Sequence, residues 1–293
     1  MVTLDRRNRV LKCERMFGIA LKGKVRGSGM EEGIGDAVLV DLCSGIVAVA
    51  DSSDRNTTAS KSFLLRFREV VTDTLDGVNL CTMTDEGLAA YVNLLKARIE
   101  ALLLTISYHD NAAFSGMILC ATASGNRGVL FHCGDTRLYL FNRDQCTLKQ
   151  LTKADSCLVG RISSISQVDI VGLDGDVRLL LASDGVGGLD RQLLITGGES
   201  LADTIERVLR DNPVEDVPQL LMAKSEEMKR TEDDICLLAV SPSNWTKQGL
   251  VLVAGGTTSA EEREFQRVRD TCCPGMLETI SWTDGQVLDL ARL

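Results

Sequence analysis

Two runs of β-branched and small apolar residues, AVLVDL at Ala37–Leu42 and IVAVA at Ile46–Ala50, are separated only by Cys43, Ser44 and Gly45. Short runs of this kind across a small-residue turn predict a hairpin. The second run halts on Asp51-Ser52-Ser53-Asp54-Arg55, and the apolar spacing then changes from the strand repeat to the helical one. Asn56, Thr57 and Thr58 offer caps for a helix through Ser62–Leu75, with Phe63, Phe67, Val70, Val71 and Thr74 on one face. A second helix is expected from Thr84 to about Ser107, where Leu88, Tyr91, Val92, Leu95, Ile99, Leu102 and Leu103 recur at helical spacing. Both helices are amphipathic and long enough to cover a sheet.

Beyond Asp110 the pattern returns to strands. Gly116–Ala123, Val129–Cys133 and Arg137–Asn142 are short and apolar, split by Gly125-Asn126 and Gly134-Asp135, and predict an antiparallel meander. A loop-rich stretch covers Thr152–Ser166, and Val177–Ser183 is a further buried strand that stops at Asp184-Gly185. Helical spacing reappears at Leu201–Leu209 and Val217–Met228, and Asp233-Asp234 leads into a last strand, Ile235–Val240, closed by Pro242. The chain therefore divides into a main unit, residues 1–242, and a small α/β appendage, residues 243–293. The appendage opens with a strand at Leu250–Ala254 and continues in a capped, charged helix at Ser259–Thr271. Gly255-Gly256-Thr257-Thr258 between them hints at a phosphate loop, but it lacks the lysine and spacing of one, and a plain strand-to-helix turn is the better reading.

Composition narrows the function. In 293 residues, 44% are apolar and 25% charged, the proportions of a globular protein with a sizeable core. Thirty-two Lys and Arg against 41 Asp and Glu give a net charge of −9, and only 4% of residues are aromatic. That balance argues against a nucleic-acid partner, which calls for basic surface and stacking rings. The two histidines, His109 and His132, sit in no metal-binding spacing, so zinc sites and most His-based triads are excluded. Ten cysteines occur without any C-x-x-C and mostly inside apolar runs, as small core residues of a reducing compartment would. No apolar run reaches the length of a membrane span, and no secretory stretch follows MVTLDRRNRV, so a cytoplasmic protein without membrane partners is expected.

The aspartates carry the functional signal. Asp51 and Asp184 end strongly apolar strands, while Asp36 and Asp233 precede them. A carboxylate at a strand terminus projects from a rigid element, as a metal site requires. Each one alone is ordinary turn chemistry. Gathered together they would repel one another, so a cluster implies divalent cations, and oxygen-only ligands favour Mg²⁺ or Mn²⁺.

The ordered series Gly35-Asp36-Ala37, Ala50-Asp51, Gly134-Asp135-Thr136-Arg137, Ser183-Asp184-Gly185 and Asp233-Asp234-Ile235 resembles the metal-dependent Ser/Thr phosphatases of the protein phosphatase 2C family. Leu151–Ser156 (LTKADS) and Leu173–Asp176 are similar to two further stretches of that family, and the likeness runs from about Gly18 to Val240. It marks the chain as a divergent, bacterial-like member. The resemblance implies an α+β fold, a four-layer α-β-β-α sandwich of two antiparallel sheets flanked by helices, with the small appendage following. It also implies a binuclear Mn²⁺ or Mg²⁺ centre, with room for a third ion. Asp51 would bridge two ions, Asp184 and Asp233 would hold one, and Asp36 would sit at the other. The backbone carbonyl of Ser52 would complete the set, and Asp110 stands near a third-ion position. The implied reaction is attack of a metal-activated water on a phosphomonoester of a phosphorylated protein, with Asp51 and Asp184 at its centre. Arg26 is the candidate phosphate-binding residue, with a solvated surface arginine as the alternative.

The chain also departs from the family pattern. Asp51–Arg55 reads D-S-S-D-R where members read D-G-x-G-G, and Gly35 replaces the usual acid, although Glu31 and Glu32 lie close. Asp54 has two readings, a carboxylate reaching the metal cleft or an acid at a helix start. These departures keep a second function open: a phosphatase-fold protein that binds a partner or metal without turnover. The appendage is the expected surface for a protein partner.

Overall fold

The computed structural model describes residues 1–24, 33–52, 56–186, 199–227, 233–273 and 276–290. Arg26, Glu31, Glu32, Asp54 and Arg55, all weighed above, lie outside the described residues. One sheet has eight antiparallel strands, in the order β14 (Glu278–Thr279), β1 (Val2–Asp5), β2 (Val10–Cys13), β3 (Phe17–Lys22), β12 (Ile235–Val240), β11 (Val177–Ala182), β8 (Arg137–Asn142) and β9 (Thr147–Gln150). The other has seven, in the order β10 (Gln167–Gly172), β7 (Gly125–Cys133), β6 (Ala112–Thr122), β5 (Ile46–Ser52), β4 (Asp36–Asp41), β13 (Val251–Gly255) and β15 (Val287–Asp289). Its β13–β15 pair is parallel.

Helices α1 (Ala59–Leu75) and α2 (Asp85–Leu103) cover the seven-stranded sheet, and α3 (Leu201–Asp211) and α4 (Val217–Glu227) cover the other. Helix α5 (Ser259–Thr271) follows β13 and is tied to the β1–β2 turn by the Arg9–Glu262 ion pair. This is the expected four-layer α-β-β-α arrangement.

Each layer boundary is filled by one set of alternating side chains. Along β4, Val38 and Val40 face the core between the sheets, while Ala37 and Leu39 face α1. Strands buried on both faces have no polar alternation, which is why AVLVDL and IVAVA are so uniformly apolar. Under α1, Phe63, Phe67, Phe114 and Phe131 meet at centroid separations of 4.8–6.2 Å, mostly tilted or edge-on. Such pairs add about 0.5–1.5 kcal/mol each beyond their burial. The β4–β5 turn is fixed by Asp41, whose Oδ1 accepts from the Cys43 and Ser44 amides while Arg68 Nε donates to Oδ2 at 2.7 Å.

The structure differs from the sequence expectations in its N-terminal strands, at the end of α2 and after Pro242. Strands β1–β3 lie in a segment whose short apolar runs are broken by DRRNR and ER, and Arg9 and Arg15 take left-handed backbone there. Helix α2 ends at Leu103, not near Ser107, since the Thr105 hydroxyl and amide both donate to the Leu102 carbonyl. The segment after Pro242 adds β13 and β15 to one sheet and β14 to the other, and Leu250, Leu252 and Ile280 join the core between them. No described helix is long and apolar enough to cross a membrane, and all ten cysteines are free.

Candidate metal centre

Three strands of each sheet end at the same edge of the sandwich. In the seven-stranded sheet Asp36 is paired with Asp51 across β4 and β5, and Asp51 with Ala113 across β5 and β6. By the two-residue repeat, Asp36 continues the row of Val38 and Val40, and Asp51 the row of Val47 and Val49, both facing the opposite sheet. The acids are thus the last rung of the intersheet core. From the facing sheet, Asp184 follows β11 in a 3₁₀ turn, and Asp233 and Asp234 precede β12. Ser183 locks these two strand ends together: its amide donates to the Cys236 carbonyl at 3.0 Å, and its Oγ accepts from the Cys236 amide at 2.9 Å.

Asp135 sits where the chain crosses from β7 in one sheet to β8 in the other. The crossing requires Gly134, whose φ is +97° and whose missing Cβ would fall 2.4 Å from that of Ala113. The turn is braced from two sides. Asp155 Oδ1 accepts from the Gly134 and Cys157 amides, and these hold its carboxyl low although burial pushes it up. Behind it, Ser115 Oγ lies 2.7 Å from Thr136 Oγ1 and 2.8 Å from His132 Nδ1, all three residues fully buried. His132 Nε2 donates to the Lys153 carbonyl at 3.0 Å, and burial pushes the imidazole below its ordinary range. This histidine is a structural brace.

Carboxylate oxygens of Asp51, Asp135 and Asp184 all lie within 4.8 Å of one another, the only such group of potential ligands among the described residues. Burial, then the Asp36 and Asp184 charges, hold the Asp51 carboxyl well above the carboxylate range. Burial, then the Asp234 charge, does the same for Asp36. Asp184 is raised by burial against an opposing hydrogen bond with Asp51. Asp36 Oδ2 is fully buried and has no hydrogen-bond partner among the described residues. An orphaned buried acceptor beside three converging carboxylates is a set that a hard divalent cation satisfies, so the residues fit Mg²⁺ or Mn²⁺.

The other expected site residues are distributed around this cluster. Asp233 lies close enough to raise both Asp36 and Asp184, but its side chain is 53% exposed and its Oδ1 is 3.9 Å from Lys24 Nζ. Asp234 is turned inward, its Oδ2 accepting from the Gly35 amide at 2.6 Å and its Oδ1 from the Lys24 amide at 2.7 Å. Ser52 caps the β4 entry, both its amide and its Oγ donating to the Gly35 carbonyl. A Cβ at Gly35 would fall 2.5 Å from the Ser52 carbonyl oxygen, so no acidic side chain fits there without displacing Ser52. Asp110 is at the same sheet end but outside the cluster, its Oδ1 accepting from Asn56 Nδ2 at 2.6 Å. Asp135 has no role in the sequence reading, where Gly134-Asp135 is a turn between two strands.

No family model and no curated protein sequence matches the chain. Solved structures do. The serine/threonine phosphatase PstP/Ppp of Mycobacterium tuberculosis is 17% identical, with a TM-score of 0.52 over 82% of this chain and 99% of that one. The PPM Ser-Thr phosphatase MsPP of Mycobacterium smegmatis, in complex with cacodylate, is 18% identical, with a TM-score of 0.52 over 77% and 97%. The phosphatase domain of SpoIIE from Bacillus subtilis, with a fragment of its regulatory domain, is 15% identical, with a TM-score of 0.53 over 77% and 63%. A PstP catalytic domain, 18% identical over 77% of this chain, carries two manganese ions. The chain has the fold of the protein phosphatase 2C Ser/Thr phosphatases, with an acidic cluster at one end of its sandwich.

Proposed function

We propose that this protein is a metal-dependent phosphatase of phosphorylated serine and threonine in proteins, acting at the cluster of Asp51, Asp135 and Asp184. The observation that carries the reading is the convergence of these three carboxylates beside the buried, unpartnered oxygen of Asp36. Asp36, Asp51, Asp135 and Asp184 would hold Mn²⁺ or Mg²⁺, with Asp233 and the Ser52 carbonyl at the margin. Two such cations, when bound, supply the Lewis acidity that lowers the pKa of water and offsets charge on the phosphoryl group. The chain's own residues set the geometry. Asp51 and Asp36, opposed on neighbouring strands, fix the separation of their carboxyls through the β4–β5 ladder. Asp135, the most exposed of the three clustered acids, would accept a hydrogen bond from the attacking water. No nucleophilic side chain is required, so the reaction needs no phosphoenzyme.

A second reading, a phosphatase-fold protein that binds a partner or metal without turnover, draws on Lys24. Its ammonium lies beside Asp233, where its charge opposes a cation. Hydrolysis of p-nitrophenyl phosphate with Mn²⁺, with Mg²⁺ and with EDTA separates the two. Turnover that needs Mn²⁺ or Mg²⁺ and stops in EDTA supports the phosphatase, and no turnover with any divalent metal supports the second reading.

A further inference from the structure

We infer that the segment after Pro242 holds the metal centre in shape, with Thr257 and Glu262 as positioning residues for Asp36. The inference rests on the reading of the acidic cluster as a metal site, and it concerns residues to which that reading gives no role. Strand β13 adds to the free side of β4, with Gly255 opposite Ala37. Beyond the ladder the contact continues along the three residues that lead into the site. The Gly256 amide donates to the Asp36 carbonyl at 2.8 Å, and the Thr257 amide to the Ile34 carbonyl at 3.0 Å. The Ile34 amide in turn donates to Thr257 Oγ1 at 3.1 Å, and the Gly33 amide to Ser259 Oγ at 3.2 Å. Gly255 permits this approach: its φ is +78°, and a Cβ there would fall 2.0 Å from the Asp36 carbonyl oxygen.

The clamp is itself anchored. Thr257 Oγ1 accepts from Ile34, so its own proton goes to Glu262 Oε1 at 2.6 Å, a buried bond. Glu262 is 1% exposed and pairs with Arg9 of the first sheet and with Arg269 one helical face along α5. On the opposite side Thr57 Oγ1, just before α1, donates to the Thr257 carbonyl at 2.6 Å. Residues 33–36 are therefore gripped between Ser52 on β5 and Thr257 on the C-terminal segment. Asp36 faces the cluster from a backbone that it cannot move without breaking the grip. A carboxylate on a backbone held this way keeps its place at the cluster, next to Ser183. Outer residues that orient metal ligands typically set about 10–100-fold of the metal affinity.

The test is a calorimetric Mn²⁺ titration of the whole protein as wild type, Thr257→Val, Thr257→Ser and Glu262→Gln, with amide hydrogen exchange of Ile34 and Asp36 measured alongside. Removing the hydroxyl in Thr257→Val is expected to weaken Mn²⁺ binding about 10–100-fold and to speed exchange at Ile34. Thr257→Ser, which restores the hydroxyl, should bind like wild type. Glu262→Gln should fall between them, and all four should melt cooperatively. Equal Mn²⁺ affinity in Thr257→Val and wild type overturns the inference, as does a Thr257→Ser protein as weak as Thr257→Val. If wild type binds no Mn²⁺, the metal-site reading fails and the grip is judged by exchange alone. An unchanged Ile34 amide in Thr257→Val then overturns it.

Discussion

Along strand β4, Val40, Val38 and Asp36 point the same way, into the space between the two sheets, and all three are almost completely buried. The valines pair with Val49 and Val47 on β5 and share the intersheet core with Leu179 and Leu181, and burial there lowers the free energy of the folded chain. Two residues further on, Asp36 meets Asp51, Asp184 and Asp234, and each of those neighbours raises it. The strand geometry is the same in both places. What differs is that the apolar rungs are satisfied by the protein itself, whereas the acidic rung, under the proposed function, is satisfied by a cation. On that reading stability and function sit at opposite ends of the sandwich, and substitutions at the two ends should have opposite signatures.

The largest effect is expected in the apolar core on the other face of the same sheet, under α1. Phe67 is fully buried and lies 4.8 Å from Phe114 and 6.1 Å from Phe131 between centroids. Phe67→Ala should cost about 3–5 kcal/mol. Denaturant unfolding would show this as a lowered midpoint, while the fraction that remains folded should bind Mn²⁺ as wild type does. A large change in metal affinity without loss of stability would break the comparison.

At the other end the signature reverses. Asp184→Asn removes one ligand charge from a cluster that needs it, and turnover of p-nitrophenyl phosphate should fall on the order of 10²–10³-fold, the scale seen when one transition-state charge partner is lost. The melting temperature of the metal-free protein should be no lower than that of wild type. Undiminished turnover would remove Asp184 from the mechanism.

A smaller effect sharpens the contrast by pH. Asp51 and Asp36 are raised in the folded chain above their unfolded values, so the folded state binds their protons more tightly. Their contribution to stability is full below the unfolded carboxyl pKa and is lost as pH rises through the folded values. At neutral pH without metal they oppose folding. Asp51→Asn, which cannot ionise, should therefore raise the metal-free melting temperature at pH 7, by about 2–4 °C for each kcal/mol relieved. The difference should vanish near pH 3, and saturating Mn²⁺ should reverse it by stabilising only the wild type. Equal melting curves at pH 7 would show that the acids are not strained in the metal-free fold.

The same contrast explains what could be read from sequence. Val38, Val40, Val47 and Val49 lie in strands buried on both faces, so their runs are unbroken and the β4–β5 hairpin is plain. Helix α2, capped by the Thr84 side chain, and α5, capped by a Thr258–Glu261 box, begin where their cap residues foretell. The edge strands are a different matter. Strand β9, TLKQ, is exposed along most of its length, and β10, QVDIVG, has only one neighbour, so neither carries a core pattern. Within the site, Asp36, Asp51 and Asp184 were legible from their strand ends. Asp135 was not, because Gly134-Asp135 reads locally as a turn, and nothing in its spacing reveals that the turn changes sheets. Nor does composition foretell that Asp234 turns inward while its neighbour Asp233 stays half in solvent.

The acidic rung is proposed as a cation site. A crystal grown in millimolar Mn²⁺, with anomalous diffraction collected at the manganese edge, tests it most directly. Anomalous peaks are expected between the two sheets, within about 2.0–2.6 Å of carboxylate oxygens of Asp51 and Asp184, with Asp36 and Asp135 in the same coordination sphere or joined to it by water. A map in which no peak lies within reach of Asp51, although Mn²⁺ was present throughout, would contradict it.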